Sequence, residues 1–382
     1  MNSFSPSSSW PVRRAAALCG ALAAAAALAG APAANNTADV LDLPSAVSPA
    51  ALKRPMSGIA VQGNSAVAVG MRGTILVSAD AGATWKQVAA PVSADLTTVR
   101  FTAPNQAWAL GHDGVVLRSA DSGLTWTRVL DGRSLLALLT KHYRALQASG
   151  NADAAAVLQE VTGAAEQSAT PGVLSYPFLD IRIGADGTGF LAGAFGFLLH
   201  TRDGGKSWEP WLERAGNDRR MHLYALEQGA DGSFYLAGEQ GLVRRYDAAA
   251  GRFVTLETPY AGTFFGLQAS EAGLIAFGLR GNAYLSADQG ASWKQLALGT
   301  QATVVQALAC APGELAFVTQ SGQVLLSRDA GASVLDAGLA RAGEVFGAAL
   351  AGPGQLALAG AGGARIARIP GCGAVAPTIG KN

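Results

Sequence analysis

SADAGATWKQV, Ser78–Val88, returns 41 residues later as SADSGLTWTRV, Ser119–Val129. Further copies read TRDGGKSWEPW from Thr201, SADQGASWKQL from Ser286 and a degraded SRDAGASVLDA from Ser327. A second phrase, G-x-x-G, precedes them: GMRG at Gly70, GHDG at Gly111, GAFG at Gly193, GEQG at Gly238 and GLRG at Gly278. Its remnants end at Gly322 and Gly363. Successive closing glycines are 41, 82, 45, 40, 41 and 41 residues apart. A period of that length marks an architecture whose unit is too small to bury its own faces and stacks on its neighbours.

Within a unit the pattern is that of four short strands. TTVRFT and QAWALG flank one turn, GHDG makes the next, VVLRSA follows, and the repeated phrase turns the chain into WTRVL. Four strands in about 40 residues is one propeller blade. Seven closing glycines predict an all-β, seven-bladed β-propeller occupying residues 34–382. The seventh unit lacks a good fourth strand. Ala38–Pro44 is expected to supply it from the N-terminus and clasp the ring, with GCGAVAP near the C-terminus as the alternative.

The repeated phrase S-x-D-x-G-x-[ST]-W is the Asp-box, or BNR repeat. Its aspartate accepts hydrogen bonds from turn amides that the strands leave unpaired. Its glycine takes a backbone shape that a Cβ resists, and its tryptophan opens the outer strand and packs between blades. Asp80, Trp85, Asp121, Trp126, Asp203, Trp208, Asp288, Trp293 and Asp329 are therefore assigned structural roles. Five carboxylates spread around a perimeter cannot converge on one substrate atom, so no catalytic residue is assigned.

One step is doubled, and the extra residues 131–172 break the strand pattern. Leu135, Leu138, Leu139, His142, Tyr143 and Leu146 share one helical face, and Ala154, Val157, Leu158 and Val161 share a second. This predicts a helical hairpin inserted between blades 2 and 3.

The bulk numbers narrow the function. Of 382 residues, 49% are hydrophobic and 14% charged, which suits a large buried core rather than a disordered chain. Arg13 and Arg14 precede the apolar run Ala15–Leu28 and the small-residue stretch AGAPAAN, the layout of a secretory signal cut after Ala33. An uncleaved anchor is the alternative, but the run is shorter than the ~20 residues a span needs. The chain is thus expected in the periplasm, without membrane insertion once the signal is removed. Beyond residue 33 there are 26 basic against 27 acidic residues, which gives no electrostatic footprint for nucleic acid. Cys310 and Cys372 remain there, and their pairing is left open. Neither has a Cys or His at ligand spacing, so no metal and no cofactor are expected.

Strand alternation puts the G-x-x-G tips, the blade connections and the helical insertion on one face, opposite the Asp-boxes. That face is predicted to carry Arg72, His112, Asp113, Phe195, Glu239, Gln240 and Arg280 at its tips. Arg219, Arg220, His222, Tyr260, Phe264 and Phe265 lie on its connections. Arginines among aromatic residues are the composition of binding hot spots.

The whole grammar, G-x-x-G-x-[IVL]-L-x-[ST]-x-D-x-G-x-[ST]-W, resembles that of the photosystem II stability/assembly factor propellers. GHDGVVLRSADSGLTW, HLYALEQ, TPYAGTFFG and FGLRGNAYLSADQGASW are similar to bacterial members, and the resemblance spans about residues 38–370. It implies a seven-bladed, exported, non-catalytic scaffold that binds a membrane-protein complex, an assembly intermediate or an exporter, and acts as a monomer. It also implies partner binding through an arginine-rich face, matched here by Arg72 and Arg280 and more loosely by Arg219 and Arg220. The helical insertion and the worn sixth box depart from the family. A sialidase-like glycan hydrolase or a sugar-binding lectin is the alternative, since Asp-boxes occur there too. RIP at Arg368–Pro370 echoes the sialidase arginine motif but lies in the last blade.

Overall fold

The computed structural model describes residues 38–341 and 343–373. The predicted signal and its cut after Ala33 lie outside the described residues. From Val40 onward the chain forms seven antiparallel sheets, six of four strands and one of three. Each sheet is a meander whose first strand lines the centre of the ring: Met56–Gln62, Leu96–Ala103, Phe178–Ile183, Leu223–Gln228, Phe264–Ser270, Val304–Ala311 and Val345–Gly352 for blades 1 to 7. Second strands are buried almost throughout, as in Ala66–Gly70 and Ala107–Gly111, because both of their faces meet a neighbouring blade. The alternation in these strands is therefore between two apolar contacts, which is why they read as nearly unbroken hydrophobic runs.

The Asp-boxes are the joints of the ring. In the second box, Asp121 accepts from the Thr125 amide at 2.9 Å and the Thr125 and Ser119 hydroxyls at 2.6 and 2.8 Å. The Ser119 hydroxyl in turn accepts from the Gly123 amide at 2.8 Å. Gly123 has φ +91°, and a Cβ there would lie 2.5 Å from the Val67 side chain of blade 1. The box glycine thus lets one blade press against the preceding one. Trp126 and Trp208 are buried, and the Trp126 indole donates to the Gly123 carbonyl at 2.8 Å. Trp85 and Trp293 are only half-buried. Trp208 meets Trp108 of blade 2 edge to face, with centroids 6.2 Å apart.

The clasp expected from Ala38–Pro44 does not form. Blade 7 has three strands, Val345–Gly352, Gln355–Gly360 and Gly363–Arg368, and residues 38–44 form none. The segment from Val40 is held elsewhere. Ser93 donates its amide to the Val40 carbonyl at 2.8 Å, Arg128 donates to the Leu41 carbonyl at 2.5 Å, and Arg133 pairs with Asp42 at 2.8 Å. Leu41 is buried against blades 1 and 2. The chain then runs past blade 1 into a 3-10 turn, Pro49–Lys53, that packs on the last strand of blade 7. On the other side, the residues after that strand fold back on blade 6, where Cys372 is disulfide-bonded to Cys310. The ring closes by apolar packing of the blade 7 and blade 1 inner strands and a covering strap, while the disulfide fixes the tail of blade 7 to blade 6.

The doubled step holds two helices, α1 (Gly132–Ala148) and α2 (Ala154–Glu166). Asp131 caps α1, accepting from the Arg133 and Ser134 amides at 3.1 and 2.9 Å while Ser134 accepts from the Asp131 amide, a reciprocal capping box. Leu135, Leu139 and Tyr143 are fully buried in one cluster with residues of blades 2 and 3. Tyr143 donates to Glu213 at 2.7 Å and accepts from the Leu212 amide at 3.1 Å, which ties the helix to the end of blade 3. Tyr143→Phe is expected to lower the unfolding free energy by about 1–3 kcal/mol, because it strands a buried amide and a carboxylate. An unchanged urea midpoint would remove that tie from the account. No described helix is long and apolar enough to cross a membrane.

Candidate functional site: the G-x-x-G face

The two faces of the disc are built from different turns. Asp-box turns bond to the first turn of the same blade, as when Ala81 donates to the Asn64 carbonyl and Ser122 to that of Asn105. The G-x-x-G tips bond instead to the blade connections: Gly73 to the Ala94 carbonyl at 2.8 Å, Gly241 to that of Gly262 at 2.6 Å. The insertion starts on this second face, where Gly132 donates to the Asp113 carbonyl at 2.6 Å.

Each tip places its third residue in the left-handed region: Arg72, Asp113, Phe195, Gln240 and Arg280 at φ 54–56°. The closing glycine continues the bend. At Gly241, φ +73°, a Cβ would lie 1.8 Å from the Tyr260 carbonyl. The strained third residue is thereby displayed on the surface while its neighbours are locked to the connection. The same region is used inside the Asp-boxes at Ala81, Ser122, Gln289 and Ala330, so left-handed backbone by itself does not separate the two faces.

The predicted face residues divide into groups. Arg72, Arg219 and Arg280 are exposed, and their guanidinium groups carry no ion pair among the described residues. His112 is exposed, Asp113 half-buried. Arg220 is engaged, its Nε 3.0 Å from Glu160 on α2. His222 and Glu239 engage each other: the Glu239 carboxylate accepts from the His222 amide at 2.7 Å and lies 3.5 Å from Nδ1. Tyr260 is half-buried against Phe264 and Tyr284 and donates to the Leu279 carbonyl at 3.3 Å. Phe264 leaves the face altogether. It is fully buried between blades 4 and 5, because it pairs with Gly278 at the start of the inner strand and a bulge follows it. That bulge turns Phe265 to the mouth of the central channel.

A feature of this face not read from the sequence is a continuous line of rings. Tyr176 lies against Phe195 with centroids 4.3 Å apart, Phe195 against His222 at 4.7 Å, His222 against Tyr224 at 5.9 Å, and Tyr224 against Phe265 at 5.1 Å. The line runs from the end of the helical insertion to the channel mouth. Phe195 is 41% exposed and Phe346, across the mouth, 39%. Tyr224 sits inside the motif HLYALEQ, and its place at the first residues of an inner strand was the available signal.

The channel is lined by the inner strands of all seven blades and encloses about 470 Å³. Its wall carries two ion pairs that sequence patterning passed over as parts of apolar strands. Arg100 of blade 2 holds Asp180 of blade 3 through both Nε and Nη2, at 2.6 and 2.8 Å. Arg182 of blade 3 holds Glu227 of blade 4. Asp180 also accepts from the Leu226 amide of blade 4 at 2.8 Å, so one carboxylate joins three blades. Burial works against the charge of Arg100, but the Asp180 carboxylate overrides it and holds the pKa above the ordinary arginine value.

On the opposite face the box aspartates titrate low. The Thr84 and Ser78 hydroxyls bring Asp80 to about 2, and the equivalent hydroxyls and amides bring Asp288 and Asp329 to about 2. Asp203 is lowered in the same way by Ser207. At Asp121 slight burial pushes upward, and hydrogen bonds from Thr125 and Ser119 outweigh it. A carboxylate with a depressed folded pKa stabilises above its unfolded value near 3.8, and the contribution is lost as pH falls towards 2. His200 adds an earlier window. Burial, then Arg202, lowers it to about 4, so between pH 6.5 and 4 the unfolded chain takes up a proton that the folded one refuses. The melting temperature is expected to decline below pH 6.5 and to fall again below pH 4. A His200→Phe variant should lose much of the first decline and none of the second, His142, also lowered by burial, keeping the remainder of the first; a profile flat from pH 7 to 3 would contradict both assignments.

Together these features define a class: an Asp-box seven-bladed propeller with one face built for its own joints and the other carrying exposed arginines and aromatic rings. Residues 45–129, which make up blades 1 and 2, match the family described as "Photosynthesis system II assembly factor YCF48". The fold is shared with a structure of "YCF48 bound to D1 peptide", with a TM-score of 0.60 at 15% identity over 86% of this chain and 97% of that one. YCF48 from Cyanidioschyzon merolae gives 0.59 at 14% identity over 84% and 97%. A streptogramin B lyase gives 0.60 at 11% identity over 84% and 94%. No curated protein matches the sequence. The chain thus resembles the photosystem II assembly-factor propellers, by sequence in its first two blades and by fold over most of its length.

Proposed function

We propose that this chain is an exported, non-catalytic scaffold that works in the periplasm and binds an extended segment of a membrane-protein complex across its G-x-x-G face. The observation that carries the reading is the aromatic line from Tyr176 to Phe265, with Arg72, Arg219 and Arg280 exposed on the same face and lacking ion pairs among the described residues. Rings supply contact area at low entropic cost, and unpaired guanidinium groups favour acidic or carboxylate-bearing segments. The likeness to a propeller solved with a D1 peptide supports a membrane-protein segment as the partner. A scaffold rather than a hydrolase is favoured because each Asp-box carboxylate is consumed by its own turn and the boxes are dispersed around the ring. The N-terminal signal pattern supports export.

The test is capture from detergent-solubilised membranes, together with titration of the D1 peptide. Arg72→Glu combined with Arg280→Glu is expected to abolish capture without moving the melting temperature. Capture that survives both reversals would place the partner elsewhere on the molecule.

A further inference from the structure

The central channel has a second, separate character. Counting inward from its mouth, the residues that face it come in layers. The mouth holds Ser57, Thr97, Leu179, Tyr224, Phe265, Val305 and Phe346, each at the first residues of its inner strand. Two layers deeper the wall is divided. Blades 2, 3 and 4 supply Arg100, Arg182 and Glu227, blades 5 and 6 supply Gln268 and Leu308, and blades 7 and 1 supply Ala349 and Ala60 beneath Gly347 and Gly58. The small side chains leave the volume open, and the charged ones border it.

The hydrogen-bond ledger of the charged wall is unbalanced. Both Asp180 oxygens are used, Oδ1 by Arg100 and the Ile181 amide and Oδ2 by Arg100 and the Leu226 amide. Glu227 Oε1 accepts from Arg182 and the Gln228 amide. A guanidinium has five N–H donors. Nη1 of Arg100, and Nε and Nη1 of Arg182, have no acceptor among the described residues, and the two side chains remain 27% and 30% exposed to the channel. The wall therefore offers planar donors in a partly enclosed space, beneath a mouth of aromatic and aliphatic side chains. A volume of about 470 Å³ is within the range of small-molecule sites.

We propose that the channel is a binding site for a small carboxylate on an apolar stem, the carboxylate taking the spare N–H groups of Arg100 and Arg182 and the stem lying between Phe265, Phe346 and Ala349. This does not rest on the partner proposed for the face. The same chemistry is presented by a free organic acid and by the terminus of a peptide with an aromatic last residue, and the experiment separates them.

Calorimetric titration of the full chain uses 3-phenylpropionate, its amide, inorganic phosphate, and a short peptide ending in Phe with its terminus free or amidated. Saturable binding of 3-phenylpropionate is expected, with the amide at least about tenfold weaker because it lacks the charge-assisted bonds. Ala349→Leu, which fills the volume without touching either ion pair, should abolish binding at an unchanged melting temperature. The double variant Arg182→Met with Glu227→Met replaces the pair by apolar groups and should remove the preference for acid over amide. Tighter binding of the free-terminus peptide than of the free acid names a chain end as the source, and the reverse names a metabolite. Failure of every acid to saturate, equal affinity for acid and amide, tighter binding of phosphate than of 3-phenylpropionate, or unaltered binding in both variants would overturn the proposal.

Discussion

Cys310→Ser is expected to lower the unfolding free energy by about 4 kcal/mol, the loop-entropy value for a bond closing a 62-residue span. The magnitude matters because of where the bond sits. Many rings of sheets are closed by a strand donated from the opposite terminus, whereas here blade 7 keeps three strands. The segment after its last strand is tied to blade 6 by Cys372 and by the Gly373 amide on Glu314 at 3.0 Å, and to the first turn of blade 7 itself by backbone bonds through Gly354. Breaking the disulfide frees the last blade to peel from the ring, beginning at the outer edge that lacks a fourth strand. Denaturant unfolding of the parent with and without reductant, and of Cys310→Ser, measures the effect. Reduction and the substitution should act equally and not add. A midpoint that neither treatment moves would show that apolar packing between blades 7 and 1 closes the ring unaided.

Arg100→Ala is expected to cost about 3–5 kcal/mol, more than a surface ion pair could contribute, because it abandons a carboxylate that is almost fully buried. Asp180 would keep its backbone donors Ile181 and Leu226 and lose both charged ones. Asp180→Asn added to Arg100→Ala should recover part of the loss, since a neutral amide in that place has no uncompensated charge. Equilibrium urea unfolding of the single and double variants separates these contributions. An Arg100→Ala protein as stable as the parent would mean that water in the channel solvates Asp180 adequately and that the pair does not join blades 2, 3 and 4.

The legible parts of this molecule were those written in one blade at a time. The four-strand grammar, the Asp-box turns and the helical face of Leu135, Leu139 and Tyr143 depend on residues within a few positions of one another, where turn chemistry and periodicity are strong signals. The face residues were harder. Phe264 and Phe265 are adjacent, yet one is core and the other lines the channel mouth, because the register slips between Phe264 and Gly266. Strict alternation has no means of placing that slip. The ring line from Tyr176 to Phe265 was missed for a related reason: its members come from the link after the insertion, a tip, a connection and two inner strands.

By itself the chain determined a repeating unit, its number and the side on which the boxes lie, since each unit carries its own hydrophobic alternation and its own aspartate-capped turn. Tertiary structure alone decided how the ring shuts and what its centre contains. Cys310 meets Cys372 across 62 residues and Arg100 meets Asp180 across 80. Such encounters are set by the angle at which whole sheets stack, a quantity that no short stretch of residues encodes.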